Sequence, residues 1–131
     1  MVSADNNSRM VLQRRNQMLT IGKMNEIGAN TGEGLSRCLN NESFYLRMVK
    51  LAVSDTGYER IQEALEQGDL NAGFERAHAL KGVLANVALT NLLDPVSEMT
   101  EFLRSRTEMD YSGLLEKMFT ELGKYRELIS D

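Results

Sequence analysis

The chain has 131 residues, 42% hydrophobic and 26% charged, with a formal net charge of −4; that suffices for one domain with its own apolar core, without metal or disulfide. The acidic balance argues against a nucleic-acid partner, and no apolar run reaches the ~18 residues of a membrane span. The lone Cys38 cannot pair internally, and no signal-peptide core is visible, so a reducing compartment, the cytoplasm, is expected.

Residues 1–8 are polar. Arg9 to Leu19 is a candidate helix, with Ser8 as its cap and Val11, Arg15, Met18 and Leu19 along one side. Gly22, Gly28, Gly32 and Gly34 make residues 20–34 read mainly as loop, with a turn or two of helix. A short helix over about 32–39 turns Leu35 and Leu39 inward. Asn40-Asn41 ends it, and Asn41 is placed to cap the next. Over 42–54, Phe44–Met48–Leu51 and Tyr45–Val49–Ala52 repeat at the spacing of a wide buried stripe. Asp55-Thr56-Gly57 breaks that helix. Helix 57–67 sets Tyr58, Ile61 and Leu65 against Glu59, Glu63 and Glu66, with Gly68 as its C-terminal cap. Asp69 is placed to cap the helix that follows.

That helix, about 70–88, holds the only histidine, His78. On a wheel of about 100° per residue, Leu80, Val83 and Val87 fall opposite His78, and Leu70, Ala77, Leu84 and Ala88 widen the apolar arc. His78 therefore points away from the core, among Phe74, Lys81, Gly82 and Ala85. Arg76 falls on the buried side of the wheel, but near enough to the helix start to snorkel out. Gly82 costs a helix interior about 1 kcal/mol relative to alanine. With Ala85 it clears ground beside the imidazole, and Lys81 adds a positive charge one turn on. This arrangement suits a histidine that carries a phosphoryl group. It also fits an ordinary surface histidine beside a stray glycine.

Leu89-Thr90-Asn91 reads as the next connection. Helix 92–106 carries Leu92, Val96, Met99, Phe102 and Leu103, with regular hydrogen bonding expected to begin near Pro95. Asp110 caps a last helix, 111–129, lined by Leu114, Leu115, Met118, Leu122, Tyr125 and Ile129. Short connections between sizeable amphipathic helices predict an all-α fold: an antiparallel up-down-up-down four-helix bundle with one or two short additional N-terminal helices. The four are either the last four or the set that begins at 42, with 42–54 and the histidine helix expected among them. Residues 1–30 form an N-terminal extension and 31–131 the bundle domain.

His78-Ala79-Leu80-Lys81-Gly82 resembles the H-x-L-K-G signature of histidine phosphotransfer (HPt) domains. Gly34 to Cys38 followed by Phe44-Tyr45 resembles the short first helix and following helix of many members, and Gln67-Gly68-Asp69 sits where the family often has a G-D turn. The resemblance spans about 30–106. One departure is Ala88, where the family usually has the glycine that ends the histidine helix. The resemblance implies a two-component phosphorelay in which His78 accepts a phosphoryl group from a receiver-domain aspartyl phosphate and passes it to another receiver. Lys81 then stabilises charge, and Gly82 and Ala85 give the partner clearance. Phe74 is either part of an apolar docking patch or a half-buried residue at the bundle edge. Arg104 is a candidate phosphoryl contact or simply a solvated arginine.

An ordinary histidine, with a pKa of about 6.5, is largely neutral and nucleophilic at cytoplasmic pH. Phosphoryl transfer needs positioning and charge neutralisation more than acid–base groups. The resemblance implies that the receiver supplies magnesium, so no cofactor or metal is expected on this chain. Without nucleotide-binding motifs, a phosphocarrier without kinase activity is expected. Expected partners are response-regulator receivers and a hybrid sensor kinase, with no nucleic acid or membrane and the chain itself monomeric. One histidine and one cysteine, far apart, make no zinc site; no serine or cysteine has triad company; Gly32-Glu33-Gly34 lacks the context of a phosphate loop. Two alternatives remain: a helical interaction module in which His78 is incidental, and a degenerate relay domain that binds receivers as a sink or inhibitor. The relay requires an exposed His78.

Overall fold

Four of the helix starts are set by short polar side chains that take orphan backbone amides. Thr20 Oγ1 accepts from Lys23 N at 3.1 Å, Asn30 Oδ1 from Glu33 N at 3.3 Å, Asn41 Oδ1 from Phe44 N at 3.0 Å and Asp69 Oδ1 from Ala72 N at 3.0 Å. The computed structural model describes residues 19–129, and among them seven helices. They are α1 (Ile21–Glu26), α2 (Thr31–Arg37), α3 (Glu42–Ser54), α4 (Gly57–Glu66), α5 (Leu70–Val87), α6 (Thr90–Arg104) and α7 (Ser112–Ile129). The candidate helix at Arg9–Leu19 lies outside the described residues except for Leu19, which is buried.

Helices α3 and α4 lie end to end along α5 and fill one corner of the bundle together. Tyr45, near the start of α3, donates its hydroxyl to Val87 O at the end of α5, 2.8 Å away. A β-carbon at Gly57 would lie 3.5 Å from Leu80, and one at Gly73 would lie 3.3 Å from Leu65. The broken rod formed by α3 and α4 therefore runs antiparallel to α5. Helix α5 packs against α6, α6 against α7, and α7 closes onto α3. The two sets of four helices read from the sequence thus merge, because 42–54 and 57–66 share a corner. Arg126 of α7 secures the break. It donates to Val53 O at 2.8 Å and Asp55 O at 3.1 Å, grips Glu59 at 3.0 and 3.2 Å, and lies 5.4 Å over the Tyr58 ring.

The core holds Tyr45, Tyr58 and Tyr125, each fully buried. Their hydroxyls donate to Val87 O, Ala52 O and Asn91 Oδ1. Among the described residues no buried side-chain nitrogen or oxygen lacks a partner, so burial leaves no polar group uncompensated. Leu19, Met24 and Ala29 belong to the same core, and Asn30 N donates to Ala88 O at 2.9 Å. Residues 19–30, read from sequence as part of an extension, are thus packed onto the bundle.

Several sequence expectations are corrected. Leu39 is 85% exposed rather than inward. Helix α2 stops at Arg37, and Leu39 and Asn40 both turn left-handed (φ 60° and 55°), which throws Leu39 outward while Cys38 takes the buried place. Leu51, Val83 and Phe102 are 61%, 39% and 37% exposed. Leu51 and Val83 face an open groove between α3 and α5 with Phe44 and Met48. Arg76 is exposed. Helix α6 begins at Thr90, not 92, because Leu89 and Leu92 are both fully buried and pull this turn into the helix. Pro95 therefore sits inside α6, beyond its first turn. Helix α7 starts at Ser112, whose amide donates to Asp110 Oδ1 at 2.9 Å. Among the described residues no helix is long and apolar enough to cross a membrane.

Candidate functional site

The orientation of α5 follows from its buried row. Gly73, Ala77, Leu80, Leu84 and Val87 face the core at helical spacing, so the opposite flank is free. His78 stands on that flank, exposed. Gly82, one turn on, is exposed too, and a β-carbon there would meet nothing within 4 Å. Ala85 is half-buried at the edge of this ground, where Arg37 of α2 reaches over and donates to its carbonyl at 3.2 Å. Helix α5 ends at Val87, and Ala88 takes φ 55°, ψ 43°, the left-handed cap conformation that glycine adopts most easily. The backbone geometry of the expected glycine position is therefore present with alanine in it. The neighbouring fold holds Ala88 there through the Asn30 bond to its carbonyl.

Two lines of contact connect His78 and Lys81 to the last turn of α6. In the first, the Phe74 ring stacks on the imidazole, with centroids 5.4 Å apart and planes inclined by 20°. The guanidinium carbons of Arg104 and Arg106 lie 5.1 and 4.8 Å from the Phe74 centroid. In the second, Lys81 Nζ is 3.5 Å from Glu101 Oε2, which also meets Arg104 at 3.4 Å. The Arg104 hydrogen bond and charge, then Lys81, hold the Glu101 carboxyl below the usual carboxylate range. The result is an exposed imidazole beside three cations and one carboxylate. Among the described residues no three His, Cys, Asp or Glu side chains converge as a metal site requires.

The structure gathers Phe74, His78, Lys81 and Arg104 on one surface, with Gly82 open beside them. Arg104 meets Phe74 and Glu101 and makes no hydrogen bond to His78. Sequence reasoning missed Glu101, Asn71 and Arg106. Glu101 was within reach, since Glu101 and Arg104 stand at the i,i+3 spacing of a helical ion pair. Arg106 was not, because its place follows from a left-handed residue (φ 54°) after the end of α6. Its Nε donates to Asn71 Oδ1, and one terminal nitrogen donates to Leu103 O at 2.8 Å and Arg104 O at 3.2 Å.

Searches of curated proteins and of solved structures return no match. A family model described as the Hpt domain matches residues 51–130, from the end of α3 through α7. The matched stretch is more than half of the chain and contains His78, Lys81 and Gly82, while the upstream resemblance over 34–45 falls outside it. The helical bundle and this match agree, and the chain belongs to the Hpt domain family.

Proposed function

We propose that this protein is a phosphocarrier in a two-component phosphorelay, with His78 as the phosphoryl acceptor. A lone pair on a ring nitrogen attacks the phosphorus of a receiver's aspartyl phosphate. The bond from phosphorus to the aspartyl oxygen breaks, and the carboxylate leaves with the electron pair. The second ring nitrogen gives its proton to water. The reverse sequence at another receiver regenerates His78. Lys81 exchanges Glu101 for the phosphoryl oxygens and offsets their charge. Gly82 and the edge at Ala85 admit the partner, and Phe74 with Arg104 forms the neighbouring part of the docking surface. The receiver brings magnesium; this chain binds no cofactor, has no kinase activity of its own, and works in the cytoplasm as a monomer, with receivers and a hybrid sensor kinase as its partners.

The observation that carries this reading is the exposed imidazole on a flank where even a β-carbon at Gly82 would touch nothing. A histidine that merely completed a core would be buried, with both nitrogens bonded. The test is incubation with a phosphorylated receiver, following label that is lost in acid and stable in alkali. Wild type acquires it and His78→Gln does not; equal labelling of the two rejects the reading.

A further inference from the structure

We infer that Arg106 is a positioning residue for His78, acting through the Phe74 ring. This rests on the acceptor role proposed for His78 and extends it to a side chain beyond the signature and beyond the helix that bears it. An exposed imidazole on a helix can rotate about both side-chain torsions, and each freely sampled rotamer lowers the fraction aimed at an incoming phosphorus. Here one side of the imidazole is backed by Phe74, in near-parallel contact at 5.4 Å. Phe74 is only half-buried, so the bundle alone does not immobilise it. It packs against the edge of the core, and its ring is further covered by guanidinium groups at 5.1 and 4.8 Å, within cation–π range.

The two arginines are not equivalent. Arg104 is shared with Glu101, a side chain 60% exposed and itself shared with Lys81. Arg106 is anchored on protein atoms at several points: Asn71 on the first turn of α5, and the Leu103 and Arg104 carbonyls at the end of α6. Two backbone carbonyls and the Asn71 amide together hold this planar group over the aromatic ring. Arg106 therefore ties the start of α5 to the end of α6 and sets the platform against which the imidazole rests.

A double-mutant cycle tests the inference on the full-length protein. Cation–π contacts at exposed sites correspond to roughly a two- to fivefold effect. Arg106→Ala is expected to slow transfer from a phosphorylated receiver by about that factor. Asn71→Ala, which keeps the arginine but removes its anchor, should act in the same direction and serves if Arg106→Ala folds poorly. Phe74→Leu should slow transfer as well, Phe74→Tyr should restore it, and Arg106→Ala should then have no further effect in the Phe74→Leu background. The His78 ring-proton resonances, shifted by the stacked phenyl ring, should move towards those of Phe74→Leu in the Arg106→Ala protein. Additive rate effects, or unmoved His78 resonances in Arg106→Ala, overturn the inference. A small phosphoramidate donor separates the two proposals: it forms the bond from His78 nitrogen to phosphorus as its own phosphorus–nitrogen bond breaks and ammonia leaves. Failure of wild type to label with either donor removes the acceptor role, while the resonance comparison still decides the positioning role.

Discussion

Replacing Gly82 by leucine should strengthen the fold and weaken the function. Gly82 lies inside α5 with ordinary helical backbone, and a β-carbon there meets nothing within 4 Å. No clash offsets the gain in helix propensity, so the substitution should stabilise by about 0.5–1 kcal/mol. For a domain of this size that is a rise in Tm of roughly 2–6 °C. The isobutyl group, however, stands one helical turn from His78 on the face proposed for receiver docking. In-line attack needs the reacting atoms about 3–3.5 Å apart, and a misplacement of about 1 Å costs on the order of 100-fold. Transfer from a phosphorylated receiver should therefore fall roughly 100-fold in Gly82→Leu. Labelling by a small phosphoramidate, which needs no docking surface, should stay within about a factor of two of wild type. The assay pairs circular-dichroism melts with single-turnover transfer from both donors. Undiminished receiver transfer in a folded variant would show that the open ground at Gly82 has no part in docking, and a lowered Tm would refute the packing argument.

Lys81→Ala should slow receiver transfer by roughly 10- to 100-fold, the range of a lost charge-assisted hydrogen bond, with an unchanged melting curve because its partner Glu101 is a solvated carboxylate; equal rates would show the lysine role misassigned. Ala88→Gly should raise stability by about 1 kcal/mol, since glycine adopts the left-handed cap without the penalty an L side chain meets; a chemical-denaturation midpoint that falls instead would mean that packing of the nearly buried methyl outweighs backbone strain. Burial, helped by Cys38, pushes the Tyr45 phenol up to about 12, and burial raises Tyr58 and Tyr125 further in the same direction. The fold thus favours the neutral phenols. Their stabilisation is complete below the unfolded value of about 10 and is lost as pH rises towards the folded values, of order 2–3 kcal/mol for Tyr45 alone. Phenolate absorbance from these residues should consequently appear together with loss of helical signal. Titration of all four tyrosines near pH 10 with the helices intact would refute their burial.

Much of the fold was legible because local signals agreed with the tertiary outcome. Asn41 and Asp69 cap α3 and α5 as their positions suggested, and Gly68 takes φ 70° at the turn between α4 and α5. The wheel placed His78 on an exposed flank because α5 has enough apolar residues on the other side to settle which way it faces. Leu39 was misread because its own left-handed turn throws it outward, whereas at Val83 and at Thr90-Asn91 a neighbour decided. Val83 has the wheel position of a core residue, yet α3 and α4 break beside it and leave it at a groove. Thr90 and Asn91 look like a connection, yet burial of Leu89 and Leu92 carries the helix through them.

By itself, then, the order of residues determined the helices, the ends of most of them, and the flank on which the histidine stands. Periodicity and capping act over three or four residues and need no distant partner. Only the tertiary structure decided that α3 and α4 share one corner, that Phe74 stacks on His78, that Glu101 spans Lys81 and Arg104, and that Arg106 lies over Phe74 with its donors on Asn71 and the end of α6. These contacts join residues up to 35 positions apart. They exist because the antiparallel packing of α5 and α6 sets the first turn of one beside the last turn of the other, a juxtaposition that no local pattern encodes.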